Sequence, residues 1–154
     1  MVDKAPGVEK NSDGCDDWLL VVAGVLIDGN GRWLMHQRPC GKMYAGLWEF
    51  PGGKVETHEF PANSLVRELS EELGIHVEAE ACLPATFAQD GALGARPAIV
   101  LMLYTIFAWA GQPEALEGGK IGWFSPEDAL KLAMPPMDRE MAQRLAAYTG
   151  ENRV

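Results

Sequence analysis

No stretch of this 154-residue chain is apolar for long enough to cross a bilayer as a helix. Its start, Met-Val-Asp-Lys-Ala-Pro-Gly, lacks the basic segment and apolar stretch of a secretory signal, which predicts a cytoplasmic protein. Cysteine is scarce. Cys15, Cys40 and Cys82 are odd in number and match no zinc-ribbon or CxxC spacing, so free thiols in a reducing compartment are expected. Positive charge is short too: 13 Lys and Arg stand against 22 Asp and Glu, a net charge of −9. Stable binding to a long nucleic acid neutralises many phosphates with Lys and Arg, so that class is set aside. A small phosphate compound remains open to an acidic chain if a divalent metal supplies the positive charge.

What is present is ordinary for a globular domain: 47 % apolar and 23 % charged residues, in a length that can bury a core. Residues 1–16 read as a flexible polar tail and 17–154 as one domain. Trp18 to Ile27 is an apolar run suited to a buried strand. The turn signal Asp28-Gly29-Asn30-Gly31 follows, and Trp33, Leu34 and Met35 resume an extended pattern, so 18–38 is expected to form a hairpin. Residues 39–58, punctuated by Gly and Pro, read as a long functional loop. Pro61 to Leu73 is predicted as a helix, with Pro61 in its first turn and Gly74 as the left-handed residue past its end. His76–Phe87 and Pro97–Ala110 read as strands, the second as the central one, and Gly111-Gln112-Pro113 as a turn. Ile121–Phe124 reads as a short strand. Ser125-Pro126-Glu127-Asp128 carries an N-cap and a Pro at the first helical position, and Asp138–Tyr148 reads as a last amphipathic helix. Strands interleaved with few helices indicate a mixed sheet covered by helices, an α/β (α+β) class.

The chemistry concentrates in one segment. Gly53 is followed after five residues by Glu59, then after seven by Arg67-Glu68-Leu69-Ser70-Glu71-Glu72-Leu73-Gly74-Ile75. At about 100° per residue, Glu68, Glu71 and Glu72 share an arc roughly 100° wide, while Ala62, Val66, Leu69 and Leu73 fall on the far side within about 60°. Like charges at these spacings repel, and the C-terminal half of a helix disfavours negative charge. A helix built only for stability would carry Lys or Arg there. Three hard oxygen donors on one face instead suit Mg²⁺ or Mn²⁺, with Arg67 and Glu59 free to pair and hold the geometry. An isolated Glu-Glu pair is ordinarily a solvated face. The full pattern, G-x5-E-x7-R-E-(aliphatic)-x-E-E-x-G-(aliphatic), would arise by chance on the order of once in a billion starting points at average residue usage.

This pattern is identified as a Nudix box with every signature position matched, and the likeness runs from about Val21 to Leu145. Leu47-Trp48-Glu49-Phe50-Pro51-Gly52-Gly53-Lys54-Val55-Glu56 resembles the MutT-like branch, which holds 8-oxo-dGTP diphosphatases and a CTP pyrophosphohydrolase. The resemblance implies an α/β/α sandwich and a Mg²⁺-dependent hydrolase, with Mn²⁺ able to substitute. Nucleoside triphosphate would be attacked at the β-phosphorus to give monophosphate and pyrophosphate. Glu71 and Glu72 are then the first metal ligands, Glu68 a further ligand or the base, and the Gly52 carbonyl another ligand. Glu117, before the Ile121 strand, matches a family glutamate that contributes to catalysis and metal binding. Gly52 and Gly53 would let backbone approach metal and phosphate closely.

Arg38, Phe50, Gly53 and Asp138 are the substrate contacts the resemblance implies. Each of three has a plainer alternative: a surface salt bridge for Arg38, core packing for Phe50 and an N-cap for Asp138. An ionised Asp138 only accepts hydrogen bonds, which favours guanine and cytosine over thymine and uracil. Met43 stands where 8-oxo-dGTP members carry a His, which keeps cytosine nucleotides open. His36 and His58 are expected at the surface, and the Trp residues in the core or lining a pocket. Other readings are a general (d)NTP pyrophosphatase, a non-catalytic nucleotide sensor that would have shed box glutamates, and an enzyme for dinucleoside polyphosphates or nucleotide sugars. A monomer or homodimer without membrane contact is expected.

Overall fold

The computed structural model describes residues 17–151, so the expected tail at 1–16, Cys15 and the last three residues lie outside it. Strand β1 (Leu19–Leu26) is apolar on both faces because both are covered. Val22 and Leu26 enter one core cluster with Leu65, Leu69 and Leu73, while Ala23 and Val25 enter another with Met141, Ala142 and Leu145. Alternation along one strand thus feeds two cores on opposite sides of the sheet. One core is closed by α1 (Pro61–Leu73) and the other by α3 (Pro136–Glu151). The layers are helix, sheet, helix, as expected.

The sheet beneath the helices has the order β4-β1-β6-β5, with β4 at Gly52–Lys54, β5 at Leu83–Asp90 and β6 at Ile99–Ile106. β1 and β6 are parallel over eight residue pairs and the other pairings are antiparallel. A smaller antiparallel sheet has the order β3-β2-β7, from Trp48–Glu49, Trp33–Gln37 and Lys120–Phe124. The short α2 (Pro126–Ala129) follows β7, and Ser125 Oγ accepts from the Asp128 N–H at 3.1 Å, the cap its sequence announces.

Four expectations change. The 18–38 hairpin is not formed. The turn closes, with Gly31 N–H on Asp28 O at 2.9 Å, but only Ile27 and Trp33 bridge before the strands enter different sheets. Both edges of β1 are occupied, by β4 and β6, so β2 must find other partners. The 39–58 loop contains β3 and β4. The strand expected at His76–Phe87 starts at Leu83, after a single 3-10 turn at Ala79–Ala81 that Cys82 N–H closes onto Ala79 O. The last helix begins two residues before Asp138, at Pro136.

Helix α1 has the expected bounds. Gly74 takes φ 67° and returns its N–H to Ser70 O at 3.0 Å, the left-handed stop. Its buried face is Ser64, Leu65, Leu69 and Leu73, with Ala62 and Val66 half-buried at the margin. Leu69 is fully buried directly behind the carboxylate-bearing face. Leu69→Ala should cost about 2–5 kcal/mol, because the sheet beneath cannot collapse into the vacated volume. Urea unfolding checks this, and a loss under 1 kcal/mol would mean that the helix is not seated as described.

Candidate active site

Where β1, β4 and the body of α1 meet the end of β2, the structure leaves a cavity of about 350 Å³. α1 contributes Glu68 and Glu72 to its wall, and the turn before β7 contributes Glu117. Arg38 and Phe50 come from the β2–β4 region, with Gly52 and Gly53 beside them, and Asp138 comes from α3. Eight of the residues singled out in the sequence therefore surround one space. Glu59, Arg67 and Glu71 do not line it.

Arg67 and Glu59 form the support behind it. Arg67 Nε and Nη2 donate to the two Glu59 oxygens at 3.0 Å each, a bidentate pair. Ser64 Oγ adds a bond to Glu59 at 2.7 Å. Hydrogen bonds from Arg67, then Ser64, hold Glu59 down to a pKa of about 2, and Glu59 raises that of Arg67. The guanidinium also reaches Glu68 Oε1 at 2.9 Å and Glu71 at 3.4 Å. It thereby ties the loop after β4 to the acidic face of α1.

The three helix glutamates differ in environment. Glu71 has a side chain 51 % exposed. Burial raises the pKa of Glu68, against the pull of Arg67. Glu72 is deepest: burial pushes it to about 8, and its hydrogen bond comes from the Gly52 N–H at 3.1 Å. The two glycines make this seam. A Cβ on Gly52 would lie 2.0 Å from Val22 O, and one on Gly53 would lie 2.3 Å from the Glu68 carboxyl carbon. The close approach expected of them is thus made to β1 and to α1. Among the described residues no three His, Cys, Asp or Glu side chains already converge on one metal-sized point. The donor set still fits a hard divalent cation, since Glu68 and Glu72 are half-buried carboxylate oxygens whose pKa values are raised chiefly by burial, a cost that a bound cation offsets.

Asp138 is 6 % exposed and does not cap α3. Its Oδ1 accepts from the Phe50 N–H at 3.0 Å. Burial pushes its pKa to about 7. The one hydrogen bond Asp138 makes here is as an acceptor, and burial opposes its ionised form. Phe50 is itself 3 % exposed and packs 6.1 Å from Trp33 between ring centroids, so it is core and cavity wall at once. Arg38 Nη1 pairs with Glu49 at 2.8 Å, a salt bridge within the cavity wall.

The sequence reading missed Lys42, Glu49 and His36, which also line the cavity. His36 is not a surface residue but 8 % exposed, with Nε2 2.9 Å from Gly118 O. The Glu49 carboxylate, 3.9 Å from Nδ1, raises its pKa against the effect of burial. A signal existed: Leu34 and His36 are two apart on β2, and the same alternation carried one residue past its end puts Arg38 on the side of His36. Lys42, in a loop, has no such periodicity. His58 is exposed as expected, and Met43 is exposed outside the cavity. Trp33 is core, while Trp18 is 52 % exposed, against expectation. Cys40 and Cys82 are free thiols.

Comparison with known proteins agrees with this geometry. The NUDIX domain model matches residues 18–145. The chain is 36 % identical over 129 residues to the CTP pyrophosphohydrolase of Escherichia coli K12, covering 84 % of this chain and 93 % of that one. It is 33 % identical over 130 residues to the 8-oxo-dGTP diphosphatase of Haemophilus influenzae, covering 84 % and 92 %. The solution structure of the E. coli ORF135 protein superposes with a TM-score of 0.73 at 32 % identity, over 90 % of this chain and 95 % of that one. With the box matched residue for residue and two of its carboxylates, Glu68 and Glu72, lining one cavity, the chain belongs to the NUDIX domain family, hydrolases of phosphoric anhydride bonds.

Proposed function

We propose that this enzyme is a Mg²⁺-dependent nucleoside triphosphate pyrophosphohydrolase that gives monophosphate and pyrophosphate, with 8-oxo-dGTP as its preferred substrate and nucleotide-pool sanitising in the cytoplasm as its role. The observation that carries this reading is the lining of the cavity. Half-buried carboxylates Glu68 and Glu72 line the same cavity as Arg38, Phe50 and Asp138, which supports a metal-bound triphosphate with a base beside it. A specific observation favours CTP or dCTP as the second reading: the E. coli relative at 36 % identity is named a CTP pyrophosphohydrolase. A non-catalytic sensor is disfavoured because every box glutamate is retained.

Glu71, Glu72, the Gly52 carbonyl and Glu117 would hold the cation, with Glu68 as a further ligand or as the base. A bound Mg²⁺ or Mn²⁺ supplies positive charge to the phosphates and acidifies water. As the base, Glu68 would take a proton from the attacking water on its carboxylate. The new oxygen–phosphorus bond forms at the β-phosphorus while the bond from that atom to the α,β-bridging oxygen breaks. The monophosphate leaves with that oxygen, and the water oxygen remains in pyrophosphate. Arg67 and Glu59 act behind the reacting groups by holding Glu68 in place. Arg38, Phe50, Gly53 and Asp138 meet the nucleotide.

Activity should vanish on exhaustive EDTA treatment and return with Mg²⁺. Glu72→Gln should lower kcat by several decades with an unchanged circular dichroism spectrum, and an active EDTA-treated enzyme would overturn the metal assignment. Hydrolysis in ¹⁸O water should label pyrophosphate, whereas label in the monophosphate would move the attack to the α-phosphorus. Asp138 supplies a pH test. Its folded pKa of about 7 lies above the ordinary 3.8, so the folded state binds the extra proton. Its contribution to stability is complete below 3.8 and is lost as pH rises through about 7. Asp138→Asn keeps an acceptor for Phe50 but does not titrate. The wild type should therefore lose stability relative to this variant between pH 5.5 and 8.5, as read by thermal melts, and a constant gap would refute the burial argument. If Asp138 also reads the base, the variant should shift the ratio of kcat/KM between bases by about one to two decades at pH 8.5, where the wild type is ionised. That shift should be smaller at pH 6.

A further inference from the structure

We infer that His36 is a positioning residue that fixes the turn carrying Glu117 over the cavity, a role that rests on reading this cavity as the hydrolytic site. Gly118 and Gly119 take φ values of 90° and 77°, a region that side chains rarely enter and that gives the turn its tight shape. A Cβ on Gly119 would lie 2.0 Å from Gln37 O, so this backbone lies directly against β2. On one side the turn is tied to α1 by the Leu116 N–H on Glu72 O at 3.0 Å. On the other it enters β7 at Lys120, opposite Gln37. Between these two anchors Glu117 makes no ion pair among the described residues. The side-chain bond that reaches the turn there is His36 Nε2 to Gly118 O at 2.9 Å.

A carbonyl only accepts, so Nε2 carries the proton and donates. The imidazole is buried and cannot trade that bond for water. It is also placed to gather the acidic elements: its Nδ1 is buried without a hydrogen-bond partner and faces Glu49 at 3.9 Å. Two adjacent glycines would otherwise let the Glu117 segment swing, because glycine leaves the backbone the widest choice of conformations. His36 removes that freedom next to the residue whose carboxylate must arrive correctly oriented. Its action is through Glu117, not on the substrate.

The test compares wild type with His36→Leu, His36→Gln, Glu117→Gln and the His36→Leu/Glu117→Gln double variant. Hydrogen exchange of the metal-free protein reads the turn directly. Exchange across residues 116–119 should rise roughly tenfold or more in His36→Leu and return toward wild type in His36→Gln, whose amide can donate to Gly118. With Mg²⁺ and a nucleoside triphosphate, His36→Leu should lower kcat by roughly one to two decades with KM nearly unchanged. His36→Gln should recover most of this, and the double variant should be no slower than Glu117→Gln alone. If His36→Leu fails to fold, His36→Asn, with an amide too short to reach Gly118, carries the same expectations. Unchanged exchange, unchanged kcat, or losses that multiply in full in the double variant would overturn the role. A wild type that hydrolyses no triphosphate would overturn the functional reading, whereas an active wild type with an unaffected His36→Leu would overturn this inference alone.

Discussion

Taking a carboxylate out of water raises its free energy unless charge or hydrogen bonds replace the lost hydration, and the seam between β4 and α1 leaves Glu72 with the nearby His36 and one backbone N–H for that purpose. Much of the site follows from that constraint. The seam exists because Gly52 and Gly53 have no side chains to hold β1 and α1 apart. The proposed cation would meet the demand for positive charge at Glu72 and Glu68 and would let an acidic chain hold a polyanion. Arg67 answers part of the demand at Glu68, and its bidentate hold on Glu59 fixes that guanidinium in place.

The layered fold makes such a site possible. β1 is covered on both sides, so its two cores bring α1 and α3 to opposite faces of one sheet. The cavity lies against β1 and β4, where Glu68 and Glu72 from one helix and Asp138 from the other line the same space. The link from Asp138 to the Phe50 N–H joins α3 to the segment that leads into Gly52 and Gly53. Packing on the α3 side is thus connected, through four consecutive residues, to the geometry beside the helix glutamates.

Legibility in the sequence tracked the range of the forces involved. Helix α1 was readable to the residue because its stop depends on Gly74 and its start on Pro61, both local conformational preferences. The Ser125 cap was readable for the same reason. The 18–38 hairpin was misread because the local turn forms as expected while strand pairing is decided by which edges of β1 other segments have filled. Asp138 at the head of a helix looked like a cap, yet the helix begins earlier and the carboxylate bonds a residue 88 positions away.

By itself the sequence determined the spacing of Glu59, Arg67, Glu68, Glu71 and Glu72, and with it a carboxylate-bearing helix face opposite an apolar one, because helical geometry turns spacing into direction. Only the tertiary structure decided that Glu72 is half-buried and Glu71 exposed, that Asp138 is buried against the Phe50 N–H, and that His36 faces inward onto Gly118. Solvation and hydrogen-bond partnership depend on which distant segments come within a few ångströms, and no local spacing encodes that.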